Sequence, residues 1–293
     1  MQTGLAGRSV VVTGANANIG RAIALAFPGE GCRLAAVGRD ESKGARVRQE
    51  LLEHGADDAL WARADVTDQA QVHEMVAQVL GRFGAIEVLV NNVVNNVDLD
   101  PFVDSNPESW EREIALNLTS TLNCTHAVLP GMIERRSGRI VNIGSTSGIV
   151  GDPLLAVYSA SKGAVHAFTK VLGRHGITAN AIAPYGTLPA GPDDLSPGSR
   201  WHPDGLMARL AATRLEELHS IGRRTLLERQ TALPAEIGAA AVYLASEGAA
   251  FTGQVLWVVG QLTHYRPLRG RRHPASLSAA VALSRHPRTG QSS

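Results

Sequence analysis

The chain has 293 residues, a hydrophobic fraction of 44% and a formal net charge of +1, enough apolar mass for one large α/β domain or two small ones. That near-neutral charge excludes a nucleic-acid binder built on bulk electrostatics, and aromatics at 4% leave little for base stacking, so no nucleic-acid partner is expected. Cys32 and Cys124 lack C-x-x-C spacing and read as buried thiols of a reducing compartment; without a long apolar run or a signal-peptide pattern, a cytoplasmic protein with no membrane attachment is expected.

Apolar strand-like runs alternate with helix-like segments along the chain. Ser9–Thr13 is the first strand. It enters the turn Gly14-Ala15-Asn16-Ala17-Asn18-Ile19-Gly20 and a short helix, Ala22–Phe27, cut off by Pro28-Gly29. A tight turn opening a helix points backbone N–H groups and the positive end of the helix dipole at a phosphate. The second strand, Arg33–Val37, ends in Gly38-Arg39-Asp40. The third, Ala59–Ala62, leads to Asp65 and Val66, and a helix follows over Gln69–Phe83. The fourth strand, Val88–Asn91, precedes Asn92 and a long helix, Pro107–Met132, that carries Asn117. The fifth strand, Arg139–Ile143, runs to Ser145, and the helix Leu154–Leu172 carries Tyr158 and Lys162. Strands at Thr178–Ile182 and Val255–Val259 complete about seven. This alternation predicts a doubly wound parallel α/β sheet with helices on both faces and the ligand at the C-terminal ends of the strands.

Two stretches break the rhythm. Gly186–Arg200 is rich in Gly and Pro and is followed by a helical run to about Arg229; residues 186–229 read as a substrate lid, with Trp201, Leu206, Met207 and Leu210 as candidate lining of an apolar pocket. Residues 266–293 carry six arginines and no acid and read as a disordered basic tail beyond a single domain at 1–265.

Tyr158 and Lys162 stand at i and i+4, on one face of their helix and one turn apart. An ammonium beside a phenol favours the phenolate and equips the hydroxyl for general acid–base work. Ser145, at the end of a buried strand, is placed to bind a carbonyl oxygen. The histidines show no H-x-x-x-H pair, so no metal site is expected.

Taken in order, Thr13-Gly14…Ile19-Gly20, Ala64-Asp65-Val66, Leu89-Val90-Asn91-Asn92, Asn117 in Ala115-Leu116-Asn117-Leu118, Ser145, Tyr158…Lys162 and Asn180-Ala181-Ile182-Ala183-Pro184 resemble the short-chain dehydrogenase/reductase family in its shorter, single-domain form, over roughly residues 5–260. The resemblance implies a Rossmann-type fold and an oxidoreductase that interconverts a secondary alcohol and its ketone, in a homodimer or homotetramer. It implies Tyr158 as general acid, Lys162 steadying Tyr158 and binding the nicotinamide ribose, Ser145 donating to the substrate oxygen, and Asn117 holding a proton-relay water. It places Gly14, Asn16, Asn18, Ile19 and Gly20 at the pyrophosphate, Asp65 and Val66 at the adenine, Asn92 beside the cofactor cleft, and Pro184 and Thr187 over the nicotinamide carboxamide. At the end of the second strand an NAD enzyme places a carboxylate on the ribose 2′-OH. Here Gly38 leaves room and Arg39 can fork onto a 2′-phosphate, so NADP(H) is expected over NAD(H), with Asp40 as the competing ribose ligand.

The chain departs from the family pattern at Asn18, where a glycine is usual, at Val93-Val94 in place of Ala-Gly, and at Tyr185 after Pro184. It also departs in a helix after Lys162 about one turn short. Two other readings stay open: reduction of a carrier-bound or CoA-bound 3-oxoacyl group, with Arg135, Arg136 and Arg139 as a candidate landing patch, and a nucleotide-binding scaffold without turnover.

Overall fold

The computed structural model describes residues 2–94, 99–187 and 232–258. The expected lid, apart from Gly186 and Thr187, lies outside the described residues, as does the basic tail.

In chain order the elements are β1 (Ser9–Thr13), α1 (Asn18–Ala26), β2 (Arg33–Gly38), α2 (Glu41–Glu53), β3 (Asp58–Arg63), α3 (Gln69–Phe83), β4 (Val88–Asn91) and α4 (Pro107–Ile114). A π-helical turn, Ala115–Thr119, then leads to α5 (Ser120–Arg135), β5 (Gly138–Ile143), α6 (Ser147–Val150), α7 (Ala156–Val171), β6 (Ile177–Pro184), α8 (Pro234–Ala245) and β7 (Val255–Val258). All seven strands are parallel, in the order β3-β2-β1-β4-β5-β6-β7. The order reverses between β1 and β4, and a doubly wound sheet binds its ligand at that switch point.

Both faces of the sheet are covered, which is why the strands read as continuous apolar runs. Val10 and Val12 of β1 pack with Ile23, Leu51 and Ile237 of α1, α2 and α8 and with Phe27 at the end of α1. Val11, one residue out of phase, packs on the other face with Met75, Val79, Val128 and Met132 of α3 and α5. Asp40 caps α2 by accepting from the Lys43 amide, and Asp68 caps α3 by accepting from the Ala70 and Gln71 amides. Cys32 and Cys124 are free and buried, and burial pushes both thiols up to about 12.

The expected helix Pro107–Met132 is not one helix. A π-helical turn interrupts it between α4 and α5, and Asn117 lies in that turn, fully buried. Apolar spacing does not register one inserted residue, so the interruption was not visible in the sequence. Helix α7 ends at Val171, and β6 begins six residues later at Ile177. The connection turns on His175 and Gly176, both at positive φ.

Candidate active site

The turn expected to meet the phosphates follows β1. Gly14 has φ +64° and Asn18 φ +43°, so Asn18 takes up the left-handed conformation usually given to glycine. A Cβ at Gly20 would lie 2.0 Å from the Gly14 carbonyl oxygen, so α1 enters against bare backbone. Asn92, 4% exposed at the end of β4, closes the turn from behind. Its amide donates to the carbonyls of Thr13 (3.0 Å) and Gly14 (3.2 Å). Thr13 Oγ1 in turn accepts from the Asn92 backbone N–H at 2.9 Å, a role that no motif announced. Val93, at one of the departures from the family pattern, packs against the face of Gly14 that lacks a side chain. Ile19 packs partly onto the core, and Asn16 lies beside Gly38.

The turn after β2 carries Arg39 and Asp40. The Asp40 carboxylate accepts from the Ser42 hydroxyl (2.7 Å) and the Lys43 amide (3.2 Å), and lies 3.4 Å from the Lys43 ammonium. The Ser42 and Lys43 hydrogen bonds hold it below the usual carboxylate range. Arg39 is two-thirds exposed and lies 3.5 Å from Asp65. Asp65 also accepts from the Thr67 hydroxyl (2.7 Å) and amide (3.0 Å); burial pushes its carboxyl up, but Thr67 and Arg39 outweigh this and the net direction is down. The Val66 side chain is in the core, which leaves only its backbone for a ligand. A second cation at this turn, Lys43, was overlooked in the sequence because it belongs to the first turn of α2.

Past the switch point, β5 delivers Ser145 and α7 delivers Tyr158 and Lys162. All three are buried: Ser145 is 8% exposed, Tyr158 6% and Lys162 1%. The Lys162 ammonium donates to the Ile143 carbonyl at 2.8 Å and lies 5.9 Å from the centre of the Tyr158 ring. The Ser145 hydroxyl accepts from the Ser147 amide at 3.2 Å. Asn117 donates to the Glu113 carbonyl at 2.9 Å. Thr146 donates to the Pro184 carbonyl through its amide at 3.2 Å, which joins the ends of β5 and β6. Thr187 follows, 7% exposed.

A nucleotide cofactor fits these residues. Asn18 Oδ1, Asn92 Oδ1 and Thr187 Oγ1 are buried without a hydrogen-bond partner among the described residues, a cost that a bound polar ligand removes. A backbone cradle at Gly14 and Gly20 that side chains would fill is suited to a pyrophosphate. Among the described residues no group of three or more His, Cys, Asp or Glu could hold a metal ion, and no helix is long and apolar enough to cross a membrane.

Comparison with known proteins agrees with this arrangement. Residues 8–196 match the short chain dehydrogenase family. L-fucose dehydrogenase of Oryctolagus cuniculus is 34% identical over 261 residues, 87% of this chain and 84% of the relative. A 3-oxoacyl-[acyl-carrier-protein] reductase of Synechocystis is 36% identical over 187 residues, 62% and 75% of the two chains. The crystal structure of a variant actinorhodin polyketide ketoreductase with NADPH superposes with a TM-score of 0.76 at 33% identity, covering 88% of this chain and 98% of that one. The chain belongs to the short chain dehydrogenase family, whose members are NAD(P)-dependent dehydrogenases and reductases.

Proposed function

We propose that this chain is an NADP(H)-dependent oxidoreductase that interconverts a secondary alcohol and its ketone. The observation that carries the reading is Lys162, an ammonium 1% exposed, held by the Ile143 carbonyl one turn from Tyr158 and two residues from Ser145. A buried cation is costly to maintain and marks a functional site. The nicotinamide supplies the hydride for reduction when it is bound. Tyr158 gives its hydroxyl proton to the substrate oxygen in reduction and takes it back in oxidation. Ser145 donates a hydrogen bond to the same oxygen, and Lys162 stabilises the tyrosinate that Tyr158 becomes. Asn117 holds the water through which Lys162 and Tyr158 recover their proton.

The cofactor would lie along Gly14, Asn16, Asn18, Ile19 and Gly20 at the pyrophosphate, Asp65 and Val66 at the adenine, Asn92 at the switch point, and Tyr158, Lys162, Pro184 and Thr187 at the nicotinamide end. The preference for NADP(H) rests on Asp40. Its carboxylate is committed to capping α2 and to Lys43, so swinging to a ribose 2′-OH would forfeit those bonds, while Arg39 is two-thirds exposed and its pair with Asp65, at 3.5 Å, is a long, weak surface one. A homodimer or homotetramer is part of this reading, supported by Leu256 and Trp257, which β7 leaves exposed. So are the single domain at 1–265 and a cytoplasmic location.

The 3-oxoacyl carrier reading gains nothing from the basic patch. Arg135 donates to the Ile86 carbonyl, and Arg136 and Arg139 lie where α5 ends and β5 begins, at the opposite end of the sheet from Ser145. The test is a calorimetric titration with NADPH and with NADH, repeated on Arg39→Ser. A charge-assisted hydrogen bond is worth about 1.5–3 kcal/mol, so R39S should lose roughly 10- to 100-fold in NADPH affinity and leave NADH unchanged. Tighter NADH in the wild type would overturn the cofactor assignment. Unchanged turnover in Tyr158→Phe would overturn the mechanism.

A further inference from the structure

We propose that His166 is a positioning residue that docks the loop carrying Ser145 onto the face of α7 that carries Tyr158 and Lys162. The inference rests on the reaction proposed above and adds a residue to it. Tyr158, Lys162 and His166 are spaced by four, and an α-helix advances about 40° beyond a full turn per four residues, so the three share one face. His166 is 6% exposed, at the inner end of that row.

The ring bridges the segment that presents Ser145. The Ser145 amide donates to Nε2 at 3.4 Å, and the ring also shares a hydrogen bond with the Gly148 backbone. Gly144 is shaped to this ring. Its φ is not positive, so backbone conformation does not demand glycine there. Space does, because a Cβ would lie 2.0 Å from Nε2 and 2.7 Å from Cδ2. At the far end of the segment, a side chain at Gly148 would meet the backbone of Lys162 and Gly163 at 2.6 and 2.7 Å. The segment is therefore seated on α7 along its length, with Lys162 holding the Ile143 carbonyl and His166 holding the Ser145 amide.

Only a neutral imidazole has a lone pair for that amide. Burial, reinforced by the Lys162 charge and more weakly by Lys170, lowers His166 to about 4 against the opposing Gly148 bond, so the acceptor persists at neutral pH. A catalytic group misplaced by an ångström can cost a hundredfold in rate. Loss of the His166 tie therefore acts on the chemical step, through Ser145, and not on cofactor binding.

The test compares His166→Leu, which cannot accept, with His166→Gln, whose Oε1 stands near the place of Nε2. H166L should lose about 10- to 100-fold in kcat on a ketone with NADPH, and H166Q should recover most of it. NADPH affinity should stay within about twofold in both, because neither changes the phosphate turn. If H166L does not fold, Gly144→Ala displaces the ring from the other side and should give the same kcat loss. Nitrogen-15 NMR of the wild-type protein at pH 7, with His166 assigned by its absence in H166Q, should show an unprotonated Nε2. Full kcat in H166L, no recovery in H166Q, or a protonated Nε2 would each overturn the inference. A wild-type protein that turns over no alcohol or ketone would sink the proposed reaction, and the NMR result would then decide the His166 contact alone.

Discussion

Replacing Gly20 by alanine tests whether the phosphate turn is built by close backbone approach. The added Cβ would stand 2.0 Å from the Gly14 oxygen, 2.4 Å from the Asn92 amide nitrogen and 2.8 Å from the Gly14 carbonyl carbon. Two of these neighbours are backbone, so α1 must move away from the turn by more than an ångström. That movement displaces the Asn92 amide from its bonds to Thr13 and Gly14. Overpacking of this kind costs about 1–3 kcal/mol and each lost buried hydrogen bond about 1 kcal/mol, so roughly 3 kcal/mol should go. At this chain size that is a fall of about 5–10 °C in Tm. The control is Gly81→Ala, in the last turn of α3 with nothing within 4 Å of the new Cβ. It should gain about 1 kcal/mol from helix propensity and melt a few degrees higher. Thermal melts of the three proteins, each with a nucleotide titration, decide the matter. G20A should also bind nucleotide at least tenfold more weakly. A G20A protein that melts with the wild type and binds NADPH normally would refute the idea that this turn depends on bare backbone.

Gly44→Ala, although in a helix, should destabilise, because its Cβ would fall 2.0 Å from the Trp61 indole; urea unfolding should show a lower midpoint, and Trp61→Leu on the same background should restore it. Asn142→Leu should cost about 1–3 kcal/mol in the same assay, since it breaks the buried chain in which Asn91 donates to Asn142 at 2.9 Å and Asn142 donates to Thr169 at 2.9 Å. Stability should also fall with acidification in two windows. His166, lowered to about 4 in the fold from an ordinary value near 6.5, takes up a proton on unfolding between those pH values. Its contribution, an upper bound of roughly 3 kcal/mol, is complete above pH 6.5 and lost as pH falls towards 4, and H166Q should flatten that slope. Glu50 behaves as the usual carboxylate: burial pushes it up, the hydrogen bonds of Arg21 and Arg46 outweigh this, and its stabilisation disappears only below about pH 4.5.

What the sequence disclosed and what it concealed divide along a physical line. The strands were legible because most are buried on both faces and so read as apolar runs; β7, with Leu256 and Trp257 exposed, was legible from its apolar composition alone. The Tyr158–Lys162 pair was legible because both residues lie on one helix at a fixed spacing. Features that join distant parts of the chain were not. His166 alone looks like an ordinary core histidine, and its meaning comes from Gly144, 22 residues earlier. Asp40 read only as a ribose ligand, and its place at the N-terminus of α2, accepting from the Lys43 amide beside the Lys43 ammonium, came from the fold. Val93, larger than the alanine usual in the family, lies against Gly14, where the missing side chain makes room for it. Asn18 shows the converse: one residue accepts the left-handed turn by its own chemistry, with no partner required. A departure from a family pattern therefore has to be judged together with the residue it packs against. On that standard Val93 has room beside Gly14 and Asn18 takes a conformation that asparagine tolerates, so we expect a working turn, and the titration with NADPH tests the two together.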